Sequence, residues 1–90
     1  MGKRGKLEIM NDILKIIQEN RNSIKPTPLL RKSMLSSTRF KNYYEELLEK
    51  GLIKELIYKK DSKYVVLTEK GFNFLEKYKT ITSFIDEFEL

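Results

Sequence analysis

Residues 28–51, PLLRKSMLSSTRFKNYYEELLEKG, decide how the rest of the chain is read. Thr27 ahead of Pro28 reads as an N-cap followed by proline at the first helical position, which costs nothing there because a helix's first N–H groups have no intrahelical partner. A short helix over about 28–34 follows, through Leu29, Leu30 and Met34. Leu35, Ser36 and Ser37 then make a tight turn, and either serine is placed to cap a longer helix over about 37–50. In that helix Phe40, Tyr44, Leu47 and Leu48 recur at helical spacing. Gly51 stops it, just after Lys50 at the negative end of the helix dipole.

Working outward, Leu7, Met10, Ile13, Leu14 and Ile17 recur at steps of three and four, with Glu8, Asp12, Lys15 and Glu19 between them. That period predicts an amphipathic helix over about 6–20, with Asn20 to Ser23 as its polar exit. Ile24 and Lys25 read as a short extended piece, because a residue before Pro26 is pushed toward the β region. On the other side, Leu52–Tyr58 and Lys63–Leu67 are rich in β-branched and aromatic residues and flank Lys59-Lys60-Asp61-Ser62, as in a hairpin. Thr68 is then placed to cap a last helix carrying Phe72, Phe74, Leu75 and Tyr78. The predicted class is α+β, mainly α: a winged helix-turn-helix with a three-helix core, a β-hairpin wing and an extra C-terminal helix. The expected division is a winged domain over 1–67 and a dimerisation helix over 68–90.

A chain of 90 residues has room for one modest core, so function is expected on the surface. It contains neither Cys nor His. This removes disulfides, thiolate or imidazole metal sites and the usual nucleophile–base pairs, so no catalytic residue, metal or cofactor is expected. No apolar run approaches the roughly 20 residues needed to span a bilayer, and Met1-Gly2-Lys3-Arg4-Gly5-Lys6 lacks the apolar region of a secretory signal. A cytoplasmic, nucleoid-associated location is therefore expected. Formal net charge is +5. Residues 1–64 hold 15 basic and 8 acidic side chains, a balance of +7, and residues 65–90 hold 3 and 5, a balance of −2. A basic body with a mildly acidic tail suits a polyphosphate partner at one end only.

In a winged helix-turn-helix the third helix enters the major groove by its N-terminal end. Here that end presents Ser36, Ser37, Thr38, Arg39, Lys41 and Asn42. Arg can bond guanine bidentately, Asn adenine, and hydroxyls either bases or phosphates, although Ser, Thr and Asn are also ordinary caps and solvated residues. Glu45, Glu46 and Glu49 would repel phosphates, so only the first two turns are expected to touch double-stranded DNA. Lys59, Lys60 and Lys63 flank the hairpin tip, where they either meet the backbone or minor groove or discourage edge pairing. Arg31 and Lys32 are candidate backbone contacts, and Lys3, Arg4 and Lys6 a basic arm.

The run Leu35–Ile53, ending in LLEKGLI, and the run Tyr64–Leu75, containing LTEKG, resemble the archaeal winged-helix regulators. The similarity covers about Lys6 to Tyr78 and is closest to small chromatin-associated members that dimerise through C-terminal helices. The resemblance implies a DNA-binding homodimer that regulates transcription. Independently, Phe74, Tyr78, Ile81, Ile85 and Phe88 form a stripe at steps of four and three. Either a partner helix covers it or it folds back on the first helix of its own chain. Two other functions remain open: an architectural chromatin protein with little sequence preference, and a winged-helix module that binds other proteins.

Overall fold

The computed structural model describes residues 5–60 and 62–90; Lys3, Arg4 and Asp61 lie outside the described residues. Its elements run α1 (Lys6–Glu19), α2 (Pro26–Ser33), α3 (Ser37–Glu49), β1 (Ile53–Lys59), β2 (Ser62–Leu67) and α4 (Glu69–Glu87). This is the predicted architecture of helical core, hairpin and C-terminal helix. No helix among the described residues is long and apolar enough to cross a membrane.

The core is one cluster built from every element. Ile9, Met10, Ile13, Leu14 and Ile17 of α1 meet Leu29 of α2, Phe40 and Leu47 of α3, Ile53, Val65 and Leu67 of the hairpin and Leu75 of α4. Each fully buried Leu or Ile removes enough apolar surface from water to contribute about 1.5–3 kcal/mol before entropy is counted.

Helix α2 begins two residues earlier than expected. Its N-cap is Lys25, in an extended conformation, and Pro26 rather than Pro28 is the first helical residue. Thr27 therefore lies inside the first turn and caps nothing. Both prolines fit there because the first turn has no internal use for its N–H groups. The first ladder bond, Leu29 N–H to the Lys25 carbonyl at 3.2 Å, needs neither proline's missing donor. The helix ends at Ser33, with Met34 in the left-handed region at φ 63°.

The hairpin strands differ in their bounds from the sequence expectation. Ile53 pairs with Leu67, Glu55 with Val65 and Ile57 with Lys63, but Lys59 then pairs with Ser62, so Tyr58 is an unopposed bulge residue. Pairing thus extends past the expected strand ends, to Lys59 and Ser62. Leu52 is not a strand residue. Its N–H reaches back to the Leu47 carbonyl at 2.9 Å while the Gly51 N–H reaches Leu48 at 3.0 Å, which is a Schellman ending to α3 with Gly51 at φ 74°. The expected extended piece at Ile24 is present and bonds Val65 through both backbone groups.

The N-terminus of α4 grips this ending. Thr68 caps α4 by accepting from Gly71 N–H at 3.1 Å, and its own hydroxyl donates to the Gly51 carbonyl at 2.5 Å. Its backbone N–H donates to the Leu52 carbonyl at 3.1 Å, and Lys70 Nζ to the Lys50 carbonyl at 2.9 Å. Gly71 packs directly on Leu52, where any Cβ would overlap the Leu52 carbonyl oxygen.

Two glycine replacements separate these effects. Gly71→Ala must push the backbone of Leu52 away and is expected to destabilise by about 1–3 kcal/mol, the usual range for overpacking. Gly51→Ala meets open space but keeps a left-handed φ, and is expected to cost about 1 kcal/mol. Urea unfolding of both variants measures the two losses; a Gly71→Ala variant as stable as the wild type would mean that the close approach at Gly71 carries no cost.

Candidate nucleic-acid interface

Ser36 sits in an extended conformation and its hydroxyl accepts from Arg39 N–H at 3.2 Å, so it is Ser36 rather than Ser37 that caps α3. This anchors a helix whose core positions are Phe40 and Leu47. With about 100° between successive residues, Thr38, Asn42, Glu45 and Glu49 fall opposite them on the outward meridian. Arg39 lies to one side of that line, on the flank of Glu46, and Lys41 to the other, on the flank of Tyr44. Ser36, Ser37, Thr38, Arg39, Lys41 and Asn42 are all exposed. The described structure thus collects the six expected residues at one end of one helix, with Thr38 and Asn42 most outward.

The acidic row divides. Glu45 and Glu49 are exposed on the outward meridian. Glu46 instead turns toward the start of α1, where Lys6 Nζ lies 2.7 Å from its Oε2 and Lys50 Nζ 3.7 Å. Lys6 is therefore the first residue of a helix with an acidic partner, not part of a loose arm. The hydrogen bond and charge of Lys6 hold the Glu46 carboxyl below its ordinary value against desolvation, and Glu46 raises Lys6.

Arg31 and Lys32 are exposed in the last turn of α2, where Lys32 Nζ approaches Asn20 Oδ1 at 3.5 Å. Lys59 and Lys60 are exposed at the outer end of the hairpin. Lys63 is also exposed, but its Nζ lies 3.5 Å from Glu55 Oε2. That oxygen accepts the Tyr44 hydroxyl at 2.6 Å, joining α3 to the hairpin. Burial, then the hydrogen bond and charge of Glu55, push the Tyr44 phenol well above its ordinary value. Sequence reasoning missed this link. Its signal was Glu55, a lone acid in an otherwise lysine-bearing pair of strands. Asn22 was missed as well: with φ 56°, it accepts from Leu67 N–H at 2.8 Å and ties the exit of α1 to β2.

The apolar stripe of α4 divides between two environments. Phe74 packs against the core and Tyr78 is half-buried beside α1, where burial and then the charges of Glu8 and Asp12 raise its phenol pKa. Ile81, Phe84, Ile85 and Phe88 are exposed, at 53%, 54%, 38% and 57%. Phe84, which the expected stripe omitted, stacks obliquely on Phe88 with ring centres 5.0 Å apart.

The Lys6–Glu46 pair makes a pH prediction. A carboxyl with a lowered folded pKa contributes stability that is present above its unfolded value and is lost as pH falls through the folded one. The stability difference between the protein and Glu46→Gln is therefore expected at neutral pH and to vanish in acid, below the ordinary carboxylate value of 4.5. It is also expected to shrink with salt, since both partners reach solvent. Thermal unfolding across pH and ionic strength reads both trends, and a salt-independent difference would contradict the ion-pair origin.

Comparison with known proteins places this geometry. Residues 3–86 match the family described as Winged helix-turn-helix. Among solved structures the chain is similar to Sso10a-2, a DNA-binding protein from Sulfolobus solfataricus, with TM-score 0.76 and 21% identity over 96% of this chain and 86% of that one. It is similar to F93 from STIV, a winged-helix DNA-binding protein, with TM-score 0.72 and 20% identity over 89% and 91% of the two chains. A DNA-binding TubR fragment from Clostridium botulinum matches with TM-score 0.62 and 24% identity over 87% and 99%. No curated protein sequence matches significantly. At these identities the structural likeness is one of fold, whereas the family match runs through nearly the whole chain, and the protein belongs to the winged helix-turn-helix family.

Proposed function

We propose that the protein binds double-stranded DNA as a homodimeric transcription regulator, with the first two turns of α3 in the major groove and the hairpin on the backbone or minor groove. The observation that carries this reading is the division of α3. Its outward N-terminal half offers Thr38, Arg39, Lys41 and Asn42, all exposed, before the first acid at Glu45. Hydrogen-bonding side chains that match base edges lie where a helix can enter a groove, and the acids begin where it must leave. The basic balance of residues 1–64 and the exposed Lys59 and Lys60 supply phosphate attraction. The three solved structures of similar fold are each described as DNA-binding, which supports the same assignment. Arg31 and Lys32 are proposed as further backbone contacts.

The exposed end of α4 supports the dimer. Ile81, Phe84, Ile85 and Phe88 stand clear of their own core on a molecule 50 Å long and 27 by 22 Å across. A second copy of the same helix offers an apolar partner of matching length, and a two-fold pair would present two α3 helices to one duplex. An architectural role, leaning on lysines with little base readout, is the same binding with α3 contributing less.

Fluorescence anisotropy with labelled duplexes at several salt concentrations tests the assignment. Steep weakening with salt is expected, and Lys60→Ala should flatten the slope by about one phosphate contact. Arg39→Ala and Asn42→Ala should each cost about 1–3 kcal/mol on a preferred sequence if they read bases, and less on random DNA. No binding by micromolar protein at low salt would remove the DNA reading in favour of a protein-binding module, for which the outward Glu45 and Glu49 are the available face.

Sedimentation equilibrium tests the dimer. Phe84→Glu with Ile85→Glu should yield monomers that still fold and unfold cooperatively, since neither side chain enters the core, but whose unfolding temperature no longer rises with protein concentration. A wild-type protein that is already monomeric at tens of micromolar would overturn this part.

A further inference from the structure

Strands β1 and β2 carry Lys54, Lys59 and Lys63 and, among the described residues, one acid, Glu55. An acid on a surface that approaches phosphate lowers affinity by like-charge repulsion, so its placement has a cost that something must offset. Glu55 pairs with Val65 across the hairpin, which makes Lys63, two residues along β2, its diagonal neighbour on the same face. Its Oε2 accepts the Tyr44 hydroxyl at 2.6 Å and lies 3.5 Å from Lys63 Nζ. One carboxylate oxygen therefore connects α3, β1 and β2.

We propose that Glu55 is a positioning residue that withholds Lys63 from the duplex, using Lys63 to brace the wing against the recognition helix instead of as a phosphate ligand. This rests on the DNA-binding reading of the α3–hairpin face. The short bond from Tyr44 is charge-assisted and half-buried, and holds the carboxylate in place. Side-chain exposure falls from 48% at Lys63 to 29% at Glu55, so the acid is the more enclosed partner and the lysine is drawn toward it. With Glu55 fixed, Lys63 meets a counter-charge that does not leave when DNA arrives. Lys59 and Lys60, farther out on the hairpin, carry the wing's phosphate contacts. The consequence is restrained non-specific attraction, which leaves a larger share of binding to the bases that α3 reads.

The test is a double-mutant cycle on random-sequence duplex, by anisotropy over a salt series, with wild type, Glu55→Gln, Lys63→Ala and the double variant. Gln keeps an acceptor oxygen for Tyr44, and unchanged thermal unfolding verifies that the hairpin is retained. Lys63→Ala is expected within about twofold of wild type with the same salt slope. Glu55→Gln is expected to bind about fivefold tighter, the equivalent of releasing one exposed ion pair. Its slope of log affinity against log salt should steepen by about 0.9, one added phosphate contact. The double variant should lose that gain. A purely structural Glu55 would leave the slope unmoved, and that result overturns the proposal. So does a Lys63→Ala variant that weakens and flattens binding as Lys60→Ala does. Absence of wild-type binding overturns the DNA reading and the proposal with it, whereas normal wild-type binding with an unmoved Glu55→Gln slope removes the proposal alone.

Discussion

The backbone carbonyls of Lys50, Gly51 and Leu52 are the joint on which the molecule depends, because the start of α4 satisfies all three in succession. Leu52 is buried, so its carbonyl left unpaired would cost about as much as a lost hydrogen bond, and all three lie where a helix has ended and a strand has not begun. Lys70, the Thr68 hydroxyl and the Thr68 N–H take one apiece. The closeness this requires is available only because Gly71 has no side chain to meet the Leu52 carbonyl. Through that joint the exit of α3, the base of the hairpin and the first turn of α4 take one relative orientation.

That orientation sets the electrostatics of α3. Phe40 and Leu47 point into the core, which leaves Thr38, Asn42, Glu45 and Glu49 on the outward line. The helix is thus polarised along its length as well as across it: neutral donors and cations near its capped start, acids near its exit. Glu46 escapes the pattern because Lys6, at the start of α1, reaches it. Glu55 and Tyr44 supply the second tie, between α3 and the hairpin, from a part of the surface otherwise occupied by lysines.

Helix α4 serves two environments in sequence. Gly71 and Leu75 are buried and Phe74 and Tyr78 rest against the body, whereas residues 83–90 are exposed throughout. The apolar content of that exposed end, with Phe84 and Phe88 in ring contact, is more than a solvated helix terminus needs.

Periodicity and punctuation in the sequence determined the element order, the core positions Met10, Ile13, Leu14 and Ile17 of α1, the Ser36-or-Ser37 turn, the glycine stop at Gly51 and the Thr68 cap, because helical spacing and end chemistry are local properties. Leu7, expected on the same face, is exposed in the first turn, and Ile9 is buried in its stead. The start of α2 was misplaced, since two prolines both suit a first turn and local rules rank neither above the other. The hairpin strands were legible only to within a residue at their ends, and their register not at all, because a bulge at Tyr58 depends on what its neighbours pack against. The six residues at the start of α3 were named from sequence, but their angular order around the helix became readable only once Phe40 and Leu47 defined the inward side. Pairings between distant residues were decided by tertiary structure alone: Lys6 with Glu46, Tyr44 with Glu55, Asn22 with Leu67, and Gly71 against Leu52. The physical reason is that polar partners are chosen by distance in the folded state, and nothing in a local pattern encodes the distance between residues that chain folding brings together.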